Sequence, residues 1–228
     1  MRAGTRDDPN PLEAGMPSCH CDATDRHFTM ARARDDVATY HRKGPTGTAR
    51  LLVACVAELN PLPDSLLDVG AGIGVLHHEL LDRGVGRAVH LEAARAYIRV
   101  AREECARRGH ADRVVFEHGD LVERGEELPP AELVSLDRVV CCYPELESLI
   151  RASTRQATRY LALSYPHDRW YMRCDTWWQN AKRRRAGNPF RTFIHPVARI
   201  RSLIERAGFS LACMRRTLGW EAAVYRRA

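Results

Sequence analysis

Leu66-Leu67-Asp68-Val69-Gly70-Ala71-Gly72-Ile73-Gly74 is an apolar run that ends in a glycine-rich turn, and helical spacing resumes after it with Val75, Leu76, Leu80 and Leu81. An apolar run of this length reads as a strand that carries the backbone to the carboxyl edge of a sheet. Glycines there tolerate positive φ and leave room for a ligand against the main chain, while the amides of the turn sit at a helix N-terminus. The stretch is therefore a candidate nucleotide-binding turn. Taken alone it also suits a dinucleotide, and some such turns bind nothing.

The residues that follow narrow the choice. Arg87-Ala88-Val89-His90-Leu91-Glu92 is a second strand pattern ending in a carboxylate, about twenty residues beyond the first glycines, where a mononucleotide-binding half places the acid that accepts from ribose hydroxyls. A helix with Ala94, Tyr97, Ile98, Ala101 and Cys105 on one face comes next, and Arg113 to Leu121 gives a third strand ending in Gly119-Asp120. Strand-ending acids thus recur at Asp68, Glu92 and Asp120. Gly70, Gly72 and Gly74 alternate, but His77 stands where a dinucleotide fold places its third glycine. That departure disfavours a dehydrogenase.

These residues resemble the class I S-adenosylmethionine-dependent methyltransferases. The resemblance implies that Asp68, Gly70, Ala71, Gly72 and Gly74 wrap the amino acid part of S-adenosyl-L-methionine, that Glu92 holds its ribose, and that Asp120 and Leu121 recognise its adenine. Cys141, at the end of the next apolar run, is counted with them as cofactor-binding. The rest of the chain fits the same architecture. Leu133 to Cys142 reads as a fourth strand, Glu145 to Ala152 as a helix and Arg159 to Tyr165 as a fifth strand; Val197 to Ala207 is a helix stopped at Gly208, and Phe209 to Met214 and Trp220 to Tyr225 are two closing strands. The expected fold is α/β: a Rossmann-like, mostly parallel seven-stranded sheet with helices on both faces and an antiparallel C-terminal hairpin.

At 228 residues and 45% hydrophobic content the chain is long enough for one substantial core. No apolar run reaches the roughly twenty residues needed to span a bilayer, and the charged, proline-containing start has no signal-peptide core. Cys55, Cys105, Cys141, Cys142 and Cys213 fall within apolar patterns, where cysteine behaves as a small hydrophobe. These features point to a reduced, cytoplasmic protein. Residues 1–30 read as a poorly ordered extension and 31–228 as the catalytic domain. The Cys19-His20-Cys21 cluster lacks the spacing of common zinc pairs, so no metal is assigned.

The substrate side is expected to be built from two helical segments. Residues 31–59, broken at Gly44-Pro45, form an N-terminal lid in which Tyr40 is placed near substrate, with simple packing as the equal alternative. Residues 166–190 form an insertion, in which Trp170, Tyr171, Cys174, Trp177, Trp178 and Ala181 follow the spacing of one helix face and Trp170 and Trp177 are substrate-binding candidates. That aromatic stripe suits packing on the sheet, a lid over a flat acceptor, or peripheral contact with an anionic membrane. Ser164-Tyr165-Pro166, the aromatic helix, Asn188-Pro189-Phe190-Arg191 and Phe193-Ile194-His195 resemble the C-terminal half of magnesium-protoporphyrin O-methyltransferases, which esterify a carboxylate on a large planar ring.

The resemblance implies O-methylation of a small molecule. A carboxylate acceptor needs no base; a hydroxyl does, and His167 and His195 are the catalytic candidates, with Tyr143 as a further catalytic or substrate contact. Two other classes stay open. The net charge of +6 and the Lys182 to Arg185 run suit a nucleic acid, although Tyr143-Pro144 lacks the pattern that holds an exocyclic base nitrogen. A cofactor-binding module without catalysis is the other. Oligomeric state is not legible.

Overall fold

A computed structural model of the chain describes residues 19–228, with side chains from residue 23 onward. Three helices lead in: α1 (Cys19–His27), α2 (Met30–Lys43) and α3 (Gly47–Ala57). Then come β1 (Ser65–Val69), α4 (Val75–Leu81), β2 (Arg87–Glu92), α5 (Arg95–Arg107), β3 (Val114–His118), α6 (Leu121–Arg124), β4 (Ala131–Leu136), α7 (Leu146–Gln156) and β5 (Ala157–Pro166). The chain closes with α8 (Trp170–Arg185), α9 (Val197–Arg206), β6 (Phe209–Arg216) and β7 (Trp220–Arg227). The strands form one seven-stranded sheet in the order β3-β2-β1-β4-β5-β7-β6. β1 to β5 pair in parallel; β7 is antiparallel to both β5 and β6.

Adjacent residues of a strand point to opposite faces, which is why the central strands are apolar throughout. Leu67, Val134, Leu136, Leu161 and Leu163 pack on one side with Leu149 and Ile150 of α7 and Ile200 and Ile204 of α9. Leu66, Leu133, Tyr160 and Ala162 pack on the other with Leu52, Val53 and Val56 of α3 and Leu76 and Leu80 of α4. The register sets Asp68 of β1 opposite His90 of β2 and Ser135 of β4. Buried polar side chains of three neighbouring strands therefore lie side by side.

Three sequence expectations change, and one open alternative is removed. β4 stops at Leu136, not Cys142: Asp137 follows, Arg138 takes φ 59°, and Val140–Cys142 forms a 3-10 turn. The apolar run continued, but its second half packs as a turn on the core through Val140. Residues 19–30, read as part of an unstructured extension, contain α1 and the start of α2, with Thr24 buried; residues 1–18 lie outside the described residues, as do the side chains of the Cys19-His20-Cys21 cluster. Cys55 of α3 and Cys213 of β6 are joined in a disulfide, with Cα atoms 5.7 Å apart, so these two do not behave as separate small hydrophobes. The aromatic stripe of α8 does not pack on the sheet, since no residue of that helix is buried. Among the described residues no helix is long and apolar enough to cross a membrane.

Candidate active site

The turn after β1 bounds a cavity of about 430 Å³ at the carboxyl edge of the sheet, a size suited to a nucleoside-sized ligand. Gly70 has φ 59°, and a Cβ on it would lie 2.5 Å from Val139 Cγ2. Both its conformation and its contact therefore require glycine. Gly74 is left-handed as well, with φ 88°, but it caps α4 against His77 and stands behind the wall; the lining residues of the turn are Gly70, Ala71, Gly72 and Ile73.

The strand-ending acids are each held by the backbone or by neighbouring side chains. Glu92 accepts from the Gly72 and Ala94 amides, both at 2.8 Å, one on each carboxylate oxygen. Burial raises its pKa, and those two amides oppose the shift. Each oxygen has a second lone pair, which is what a vicinal diol needs. Asp120 caps α6 by accepting from the Val122 amide at 2.7 Å and receives the Tyr143 hydroxyl at 3.3 Å. Asp68 accepts from Ser135 Oγ at 2.6 Å and lies 3.0 Å from His77 Nδ1, so it is a fully buried brace beneath the turn as well as part of the wall. Leu121 and Cys141 also line the cavity.

The second wall comes from α2 and from the segment after α8. Arg32, Asp36 and Tyr40 recur at helical spacing on α2 and all line the cavity. Tyr40 is buried, donates to Glu79 at 2.8 Å and lies under the Arg108 guanidinium. His27 stacks on Phe190 with ring centroids 4.3 Å apart and accepts from Arg32 Nη1 at 2.9 Å; burial, reinforced by Arg32 and Arg183, lowers its pKa to about 4. Arg183 donates to Asn180 Oδ1, Thr192 Oγ1 and Gln179 Oε1. Among the described residues neither Arg32 nor Arg183 has an ion-pair partner within 4.0 Å.

The structure therefore gathers Asp68, Gly70, Ala71, Gly72, Glu92, Asp120, Leu121, Cys141, Tyr143 and Tyr40 around one cavity. It leaves five expected residues outside: Gly74, which stands behind the wall, and four others. His167 is held by Glu221 Oε1 at 3.3 Å and the Thr217 carbonyl at 3.2 Å, away from the cavity. His195 donates through Nε2 to the Tyr143 carbonyl at 2.8 Å and faces a separate surface hollow beside Glu145 and Arg199. Trp170 and Trp177 are 76% and 67% exposed on the outer side of α8. The sequence reading missed His27, hidden in the supposed extension, and Asp137, hidden inside a strand drawn too long. Asp137 accepts from Ser164 Oγ at 2.6 Å and has its pKa raised by burial. The same strand-end rule that found Glu92 would have found it with the boundary at Leu136. Cys142 also lines the cavity; its Sγ is 3.7 Å from that of Cys141, and the hydrogen bond from Cys141, followed by Arg138 and Arg183, favours its thiolate against burial.

Residues 66–163 match the family described as a methyltransferase domain. No curated protein matches the chain in sequence. Among solved structures, the magnesium protoporphyrin IX methyltransferase from Synechocystis PCC 6803 with bound SAH is 19% identical and superposes with a TM-score of 0.70, covering 92% of this chain and 100% of that one. An O-methyltransferase family protein from Burkholderia thailandensis is 16% identical with a TM-score of 0.64, over 88% of this chain and 63% of that one. An O-methyltransferase family 2 protein from Planctomyces limnophilus DSM 3776, solved with apigenin, is 14% identical with a TM-score of 0.64, over 87% of this chain and 62% of that one. With a sheet of this order and the domain match across the turn, residues 66–163 form a methyltransferase domain.

Proposed function

We propose that the chain O-methylates a carboxylate on a sizeable, largely apolar small molecule. The observation that carries this is the pair of guanidinium groups, Arg32 and Arg183, that face the cavity with neutral partners only, next to the aromatic cluster of Phe28, Phe190 and Tyr97. A charge kept without an opposite partner at a cavity wall suits an anionic ligand, and Arg matches a carboxylate in geometry. The rings supply an apolar bed beside it.

S-adenosylmethionine brings a methyl group already activated by its sulfonium. Glu92 would hold the ribose, Asp120 and Leu121 the adenine, and the Gly70–Gly72 turn the amino acid part. The remaining task of the chain is to orient the acceptor oxygen and keep water out. An ionised carboxylate needs no base, and the histidines fit that: His167 and His195 stand outside, while His27 has a pKa of about 4 and both ring nitrogens in hydrogen bonds. A second reading, transfer to a hydroxyl, rests on Cys142, the wall residue whose environment favours an anionic base.

Incubation with methyl-labelled S-adenosylmethionine and matched aromatic acids and alcohols separates the two. Carboxylate transfer gives a methyl ester, whose label is released as methanol by mild alkali, and Arg183→Gln raises KM for the acid several-fold while cofactor affinity stays. Alkali-stable label that disappears in Cys142→Ser favours the hydroxyl reading. Label found only in RNA or protein overturns both.

A further inference from the structure

The outer face of α8 has no role in the cavity. Met172, Gln179, Asn180 and Arg183 form the inner side of this helix: Met172 Sδ lies against Gly219, and Asn180 donates to the Thr192 carbonyl at 2.7 Å. At 100° per residue, Trp170, Cys174, Trp177 and Trp178 lie on the opposite side. They point straight into solvent: Trp170 is 76%, Trp177 67% and Trp178 53% exposed. Leu218, at the tip of the β6–β7 hairpin, is 92% exposed and tied to this helix by the bond from the Tyr171 hydroxyl to its carbonyl at 2.7 Å.

Cations flank the stripe. Arg173 and Arg184 lie along one border and Lys182 along the other, Arg185 falls within the stripe at its C-terminal end, and Asp175 is the one acid of the helix. Among the described residues none of these four cations forms an ion pair within 4.0 Å. Lys182 Nζ instead sits 3.3 Å from the centre of the Trp178 ring. Contiguous exposed indoles mark an interaction surface rather than ordinary solvent-facing chain. Indole is the side chain that settles at the boundary between headgroups and acyl chains, and a basic border matches anionic headgroups.

We infer that the outer face of α8, with Leu218, docks the protein on an anionic lipid bilayer. The charge complementarity calls for an anionic partner, and the aliphatic tip at Leu218 favours lipid over a nucleic acid, whose bases would stack on the indoles but have no use for an exposed leucine. Arg183, on the inner side of the same helix, lines the cavity. Docking in this orientation places the cavity wall close to the bilayer surface, where an apolar acceptor collects.

The test uses the full chain and vesicles, with no acceptor, so that it reads independently of the proposed reaction. Three of the four tryptophans lie on this face, and their emission is expected to shift to the blue on adding phosphatidylcholine vesicles containing phosphatidylserine, with co-sedimentation that weakens as salt rises. Each cation near such a surface contributes about fivefold to partitioning, so Lys182→Gln/Arg184→Gln/Arg185→Gln is expected to lose about a hundredfold. Trp177→Ala/Trp178→Ala is expected to abolish the shift and leave thermal unfolding unchanged, because both rings are exposed. Absence of binding to these vesicles at low salt, or binding that survives both sets of substitutions, overturns the inference. A gel shift of single-stranded RNA that depends on the same tryptophans, without vesicle binding, assigns the face to nucleic acid instead.

Discussion

His90 offers a substitution expected to stabilise the protein. It sits in the middle of β2 with no exposed surface, between the His77 and Phe116 rings, and neither ring nitrogen has a hydrogen-bond partner among the described residues. A buried, unpaired polar group costs about 1–3 kcal/mol. His90→Leu removes two such groups at similar volume, and after allowance for imperfect packing the gain at pH 7.5 is about 1 kcal/mol or more. The effect grows in acid. Burial holds the His90 pKa well below its usual value, so below pH 6.5 the unfolded chain binds a proton that the native protein does not, and native stability falls as pH falls. A full proton is worth about 1.4 kcal/mol per pH unit, so the advantage of the leucine variant widens as pH falls from 6.5 to 4.5, at up to that slope. Urea unfolding of both proteins at pH 7.5, 6.5, 5.5 and 4.5 measures this, and the contributions of other groups cancel in the difference. A variant less stable at pH 7.5 whose stability runs parallel to wild type in acid would refute the reasoning.

Glu92→Ala removes the acceptor of the Gly72 and Ala94 amides and the group proposed to hold the ribose, and calorimetry is expected to show S-adenosylmethionine affinity reduced by about 1.5–3 kcal/mol. Gly70→Ala forces a positive φ on alanine and sets its Cβ 2.5 Å from Val139 Cγ2; thermal shift is expected to show a loss of stability that Val139→Ala relieves only in part, because the backbone strain of about 1–2 kcal/mol remains. Cys55→Ser opens a covalent loop spanning 158 residues, and denaturant unfolding without reductant is expected to lose about 2–5 kcal/mol. His78, whose pKa burial and then His77 and His110 lower to about 2, adds to the acid sensitivity of the native protein, and His78→Gln is expected to flatten its pH dependence between pH 6.5 and 5.5.

The acids that line the cavity were legible because strand geometry forces apolar strand patterns to end at the same edge. Asp68, Glu92 and Asp120 announce themselves in that way. The acceptor half was not, because its residues meet through tertiary packing: His27, Phe190 and Arg183 come from three separate segments, and no local period connects them. The two histidines chosen from sequence were picked as proton acceptors, whereas Glu221 and the Tyr143 carbonyl hold them elsewhere. Periodicity found the stripe of α8 correctly but says nothing of which side of a helix meets the protein. The link between Cys55 and Cys213 was equally out of reach, since only the assembled sheet brings β6 over α3.

The place of β7 in the sheet bears on synthesis. It follows every other strand in the chain yet lies inside the sheet, between β5 and β6. As the chain leaves the ribosome, β1 to β5 can already be paired while β5 still presents an open edge and β6 has no neighbour. An open parallel edge is a template for foreign strands, so the nascent protein passes through an interval of aggregation risk that ends only when Trp220 to Arg227 emerge and insert. Ribosomes stalled before Trp220 would hold the chain in that exposed form, the stage at which a chaperone has most to protect.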